Sequence, residues 1–217
     1  MMLRPTDRKA SSVPNTTSDQ ARAQAADSLR SLVEGNRRFA AGAPAPHLVS
    51  EVDRQALLAG QHPIAVLLGC VDARVPPEVV LDQGVGDLLT VRTAGQSLAG
   101  VALGSIEFGV RVLGLSLVVV LGHTGCGAVL AALEEDHADG HLGQLTGEVA
   151  DRLIEVVGAD PVRATGANLA ATVEALRAMP TLTTPAGHTP FVVGLLYDMA
   201  TGVIEVTDDA GLLTSVG

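Results

Sequence analysis

The sequence predicts an α/β fold built on a mainly parallel sheet. Three observations carry this. Short unbroken apolar runs alternate with helical patterns, as βαβ units require. Apolar residues make up 47% of the chain but aromatics only 2%, so the core is aliphatic, which suits a sheet buried on both faces. The length of 217 residues is that of one domain with an added terminal arm.

The strand candidates are Ile64–Gly69 (IAVLLG), Leu88–Val91, Leu115–Leu121 (LSLVVVL), Phe191–Leu196 (FVVGLL) and Val203–Val206. Helical patterns cover Asp27–Phe39, Val49–Ala59, Leu98–Leu113, Ala128–Glu135, Glu148–Val157 and Pro161–Met179. Asp136–Gly147 and Pro180–Pro190 read as surface loops. Residues 1–22 read as a flexible polar tail. Residues 23–217 read as one domain, with a helical arm over 23–60 and an α/β core over 61–217.

Charge and hydropathy exclude some partners. The formal net charge is −10, and an acidic surface argues against nucleic acid or an anionic membrane. The most apolar stretch, Val112–Gly122, has 11 residues, whereas a spanning helix needs about 20. No apolar run follows the basic N-terminal residues, so no secretory signal is visible and a cytoplasmic location is expected. There are two cysteines, and a structural disulfide is not expected in a reducing compartment.

In open α/β sheets, ligands gather at the carboxyl ends of strands. The first strand ends in GCVDARVPPE, with Cys70, Asp72 and Arg74 at alternate positions. The third ends in GHTGCGA, with His123 three residues before Cys126. Thiolate and imidazole are the usual zinc ligands, and three protein ligands leave a fourth position open, the pattern of a catalytic site. Cys126 stands where a helix should begin, flanked by Gly125 and Gly127. Asp72 has two functional readings: a fourth ligand that closes the site, or a partner of Arg74 that orients a metal-bound hydroxide.

GCVDARVPPE followed by GHTGCGA resembles the β-class carbonic anhydrases, whose motifs are Cys-x-Asp-x-Arg and His-x-x-Cys. LVEGNRRFAAG, DQGVGDLLTVRTAG, GSIEFGVRVLG and VVGLLYDMATGVIEV resemble further parts of the family, so the likeness runs from about Ser28 to Thr207. The resemblance implies a three-layer α/β/α fold, with an antiparallel edge strand added to four parallel strands and an N-terminal helical arm that reaches a partner subunit. It implies zinc held by Cys70, His123 and Cys126, an Asp72–Arg74 dyad, and reversible hydration of CO2 to bicarbonate and a proton by zinc-bound hydroxide. It implies a homodimer or homotetramer. It also implies substrate contacts from Gln61, nine residues before Cys70, and from Phe108, where the family often has Tyr.

Other departures are Val71 and Ala73, where the family usually has Ser, and Leu67, where members with a bicarbonate-regulated form have Trp. Arg92 is expected to brace a loop or interface. His47, His62, His137, His141 and His188 read as exposed. Carbonic anhydrases with three-histidine zinc are the familiar case of zinc acidifying water. Two thiolates cancel the formal charge of Zn2+, so positive charge from Arg74 and backbone N–H groups must compensate. The alternatives are a carbon disulfide hydrolase-like enzyme with the same metal, a non-catalytic zinc protein closed by Asp72, and a redox thiol pair.

Overall fold

A computed structural model describes residues 17–47, 50–134, 139–154 and 160–213. The chain opens with helix α1 (Ser18–Ala40), started by a capping box in which Thr17 and Gln20 satisfy each other's backbone N–H groups. Helix α2 (Glu51–Leu57) starts the same way through Ser50 and Asp53, but buries no residue. Strand β1 (Ala65–Cys70) follows, then the single turn α3 (Pro77–Val80) and strand β2 (Leu88–Thr93). Helix α4 (Gly100–Glu107) runs into a π-helical turn over Phe108–Val112. Strand β3 (Leu117–His123), helices α5 (Gly127–Ala132), α6 (Gly140–Asp151) and α7 (Pro161–Arg177), and strands β4 (Phe191–Tyr197) and β5 (Ile204–Asp208) complete the fold.

The sheet order is β2-β1-β3-β4-β5; only β4–β5 is antiparallel. The period-2 alternation of a strand sorts the aliphatic runs onto two faces. Leu67, Val119, Leu121, Val193 and Leu195 pack with α1 residues Leu29 and Leu32. Val66, Leu68, Val118, Val120 and Val192 pack with Ile106, Val110, Leu169 and Val173. This is the expected three-layer arrangement with its antiparallel edge strand. The central strands β1 and β3 are buried along their whole length, which is why they read as unbroken apolar runs.

Two elements differ from expectation. Helix α1 begins at Ser18, nine residues before Asp27, because its first half buries alanines (Ala21, Ala25, Ala26) that leave no strong apolar stripe. Helix α6 covers Gly140–Asp151, including much of the segment expected to be a loop; Gly140, Gly143 and Gly147 disguise a helix that buries Thr146 and Val149. Of the tail expected over residues 1–22, residues 18–22 form the first turns of α1, and residues 1–16 lie outside the described residues.

The arm is locked to the core by Asn36. Its buried amide donates to the carbonyls of Val80 and Gly202, both at 2.9 Å, and accepts from Ile204 N–H at 2.8 Å. Beside it, Gly35 lets α1 approach α3 closely: a Cβ there would lie 2.0 Å from the Leu81 carbonyl oxygen. Alanine would improve helix propensity by about 1 kcal/mol. Overpacking against a backbone atom costs about 3 kcal/mol. Gly35→Ala is therefore expected to destabilise by about 2 kcal/mol, read as a lower denaturant midpoint with unchanged slope. A raised midpoint would show that α1 is free to shift.

Candidate metal centre

Because β2 and β3 lie on opposite sides of β1, the chain switches direction across the sheet beside β1 and β3, and the crevice opens at their carboxyl ends. Cys70 ends β1, His123 ends β3, and Cys126 caps the start of α5. All three are buried. Their ligand atoms lie within 4.8 Å of one another, and the two sulfurs are 3.9 Å apart. The tight turn between His123 and Cys126 is held to β4 by Thr124, whose N–H donates to Tyr197 O at 2.9 Å and whose hydroxyl accepts from Met199 N–H at 3.1 Å. Gly125 has φ +64°, a conformation that favours glycine.

The imidazole is set for coordination. His123 Nδ1 lies 3.0 Å from the Thr124 carbonyl, so this nitrogen carries the proton and donates it. That leaves Nε2 as the lone-pair nitrogen. It is buried and has no hydrogen-bond partner. An orphaned buried nitrogen facing two thiols is costly unless something binds it. Without an ion, the hydrogen bond from the Cys126 thiol pushes the Cys70 thiol below its ordinary range. Cys126, holding the shared proton, is pushed above it. The N–H groups of Val129 and Ala128 also face the Cys126 sulfur.

Asp72 is not part of this cluster. Its Oδ1 accepts from Arg74 N–H at 2.9 Å and from Nε at 3.0 Å, and its Oδ2 accepts from Arg74 Nη2 at 2.7 Å. These bonds hold its carboxyl well below the usual carboxylate range. The Asp72 N–H lies 3.5 Å from the Cys70 sulfur, so the dyad sits directly beside the cluster. Arg74 also reaches Gly125 O at 3.3 Å. Arg92 braces the loop between ligand and dyad: Nε donates to Cys70 O and Nη2 to Asp72 O, both at 2.7 Å.

The other expected site residues stand elsewhere in this chain. Gln61 lies before β1, at the opposite end of a strand about 20 Å long. Phe108 lies against the edge strand β2, beside Leu89, Val91 and Val101, and is 44% exposed. His47 binds the buried Asp82 at 2.8 Å rather than standing free. Burial opposes ionisation of Asp82, but Ala45 N–H, Arg38 and His47 together hold its carboxyl below the ordinary value. His137 lies outside the described residues.

The arrangement can bind one metal ion through two sulfurs and one nitrogen, with a carboxylate held back beside it. A family model described as carbonic anhydrase matches residues 65–204, which contain Cys70, Asp72, Arg74, His123 and Cys126. The chain belongs to the β-class carbonic anhydrase family. Carbonic anhydrase 2 of Mycobacterium tuberculosis is 54% identical over 105 residues, which cover 48% of this chain and 50% of that protein. This chain thus spans about half the length of that relative. The carbonic anhydrase of Mycolicibacterium smegmatis is 36% identical over 192 residues, covering 84% of this chain and 93% of that one. Among solved structures, the β-carbonic anhydrase CafA of Aspergillus fumigatus aligns with a TM-score of 0.58 at 28% identity, covering 86% of this chain and 97% of that chain.

Sequence reasoning missed the residues behind the site. Gly95 stands two residues after Thr93, the β2 partner of Cys70. Its neighbour Gln96 donates from Nε2 to Leu121 O at 3.0 Å, two residues before His123. Gly95 closes the family-like segment DQGVGDLLTVRTAG, but nothing in that segment shows what fixes its turn, because the groups that do so come from α6 and α7.

Proposed function

We propose that this chain is a zinc-dependent carbonate dehydratase that hydrates CO2 reversibly to bicarbonate and a proton. One observation carries the reading: Cys70, His123 and Cys126 converge on a common point while Asp72 is held away by Arg74. The donor set suits zinc. Tetrahedral zinc with Zn–S bonds of about 2.3 Å needs sulfurs about 3.8 Å apart, and they stand at 3.9 Å. The unpartnered His123 Nε2 supplies the third donor.

When bound, zinc supplies the Lewis acidity that makes water a nucleophile at neutral pH. The chain's own residues do the rest. Asp72 accepts a hydrogen bond from the attacking water and so fixes its direction. Arg74 occupies both carboxylate oxygens, keeping Asp72 off the metal and in position. Arg92 fixes the loop on which the dyad rides. Asp72 is too weak a base to store the released proton, so the proton passes to solvent buffer. Apolar Val71 and Ala73 flank the dyad and leave its hydrogen bonding to Arg74.

We infer a homodimer or homotetramer. Among the described residues β2 leaves one edge unpaired, α2 buries nothing, and Val101 (87% exposed), Phe108, Val52 and Leu58 present apolar surface. On this reading Gln61 and Phe108 contact substrate across a subunit interface, since neither stands beside Cys70 within one chain. Among the described residues, no helix is long and apolar enough to cross a membrane. We place the chain in the cytoplasm because both cysteines are free thiols suited to a reducing compartment.

Metal analysis with stopped-flow hydration tests the reading. Stoichiometric zinc and CO2 hydration that rises with pH through the neutral range are expected. Activity in zinc-free protein would overturn it, as would full zinc loading without CO2 turnover or faster turnover of carbon disulfide in a side-by-side assay.

A further inference from the structure

The ligand turn over residues 123–126 is tied to a second turn that the proposed chemistry does not use, the one over 198–203 that joins β4 to β5. Thr124 stands one residue beyond the end of β3. His123 pairs with Tyr197 in the β3–β4 register, and Thr124 N–H adds one more rung by donating to Tyr197 O at 2.9 Å. Its hydroxyl reaches past the strand end and accepts from Met199 N–H at 3.1 Å, across 75 residues of sequence. Both bonds act on the residue whose carbonyl takes the His123 Nδ1 proton at 3.0 Å.

The second turn is itself fixed. Asp198 N–H donates to Val203 O at 2.9 Å and Gly202 N–H to Asp198 O at 2.8 Å, closing it from within. Asp198 Oδ1 accepts from Ala200 N–H at 2.8 Å. From outside, Asn36 on α1 satisfies both Gly202 O and Ile204 N–H. A Cβ at Gly202 would lie 3.6 Å from Phe39 and 3.8 Å from the Ala40 backbone, so the turn rests on the last residues of α1. The Met199 side chain also closes on the ligand turn: its Cε stands 3.1 Å from where a Gly125 Cβ would be. The two ties on Thr124 are not equivalent. The rung to Tyr197 is backbone to backbone, and any residue but proline can make it. The bond to Met199 needs a side-chain acceptor at position 124. Beyond the Thr124 carbonyl the chain runs into Gly125, whose residue type restrains the backbone least, so the hydroxyl is what holds this side of the turn down.

We propose that Thr124 is a positioning residue for the metal centre: its hydroxyl, bonded to Met199 N–H, fixes the ligand turn to the β4–β5 turn and so holds the Thr124 carbonyl where His123 Nδ1–H donates to it. This rests on the zinc reading above. The acceptor on Nδ1 sets the tautomer and the ring orientation, and both must be right for Nε2 to meet the metal. Without the hydroxyl, Met199 N–H loses its partner, the carbonyl is free to swing, and the imidazole loses its anchor. The β4–β5 turn, braced by α1, thereby acts on a metal ligand that it does not touch.

The test uses the full-length, zinc-loaded protein with isotope-labelled histidine, read by nuclear magnetic resonance. His123 is recognised as the imidazole whose Nε2 is bound to metal, and exchange of its Nδ1 proton with solvent reports the bond to Thr124 O. Thr124→Val keeps the shape and the rung to Tyr197 but removes the acceptor for Met199 N–H. Its Nδ1 proton should exchange about tenfold faster, and a competing chelator should show zinc binding weakened about tenfold. Thr124→Ser, which keeps a hydroxyl, should retain the wild-type behaviour in both. Thr124→Ala should repeat the valine result and serves if that variant does not fold. Thr207→Val removes a hydroxyl bond to Gly194 O farther along the same strand pair and should leave both readouts in place. Unchanged exchange and affinity in folded Thr124→Val or Thr124→Ala overturn the inference, as do equal losses in Thr207→Val. Wild-type protein that takes up no zinc would instead remove the zinc reading, and this inference with it.

Discussion

Purified His123→Ala protein should carry no stoichiometric zinc and hydrate CO2 about 1,000-fold more slowly than the unaltered chain. The reason lies in where the imidazole stands. His123 is fully buried at the end of β3, and Nε2 has nothing else to do. Removing the ring leaves two sulfurs 3.9 Å apart, which do not complete a three-ligand site. The stability change should depend strongly on metal. Without zinc, the variant also removes an unsatisfied buried nitrogen, which offsets part of the cavity cost. With zinc in large excess over its dissociation constant, the wild type gains about 4 kcal/mol by mass action and the variant gains none. Metal analysis and thermal unfolding with and without chelator measure both effects. A His123→Ala protein that retains zinc and turnover would remove His123 from the ligand set.

Asp72→Asn should separate catalysis from binding. Zinc content should be retained, because Asp72 lies outside the ligand cluster. Turnover should fall about 100-fold, because the amide can present an N–H where an acceptor is needed. Stability at neutral pH should change by less than about 1 kcal/mol, since Arg74 is 61% exposed and the pair is screened by water. The sign of the pH effect follows from the depressed carboxyl. A group held below its unfolded value contributes stability above about pH 4 that is lost as pH falls further. Asp72 is therefore ionised throughout the neutral range, and a rise in activity across that range belongs to another group. A fully active Asp72→Asn enzyme would overturn the orienting role.

The sequence made the centre of the molecule readable and its edges less so. The unbroken runs of β1 and β3 announce strands buried on both faces, and the residues that end them are the ligands, so strand and site were found together. The dyad was legible because Asp72 and Arg74 are two residues apart and satisfy each other locally. Helix α6 was misread because Gly140, Gly143 and Gly147 interrupt its pattern and its buried residues are only Thr146 and Val149. The first turns of α1 were missed because their buried face is alanine. Placing Gln61 required knowing that it precedes β1 while Cys70 ends it. The Gly95–Gln96 turn was illegible for a different reason. Asn168 lies 73 residues from Gly95 and Arg152 lies 56 from Gln96, and no local pattern reports such pairings.

Those separations also order events in time. Cys70, His123 and Cys126 are all synthesised before any residue of α6 or α7 exists. A nascent chain can thus gather its three donors early, while the Gly95–Gln96 turn beside them is fixed only when α7 docks on the sheet. Contacts so distant along the chain form late, since the intervening loop must be closed first. An ion captured early would sit in a site whose supporting turn is not yet fixed, and the finished surroundings would arrive with the last large helix rather than with the ligands.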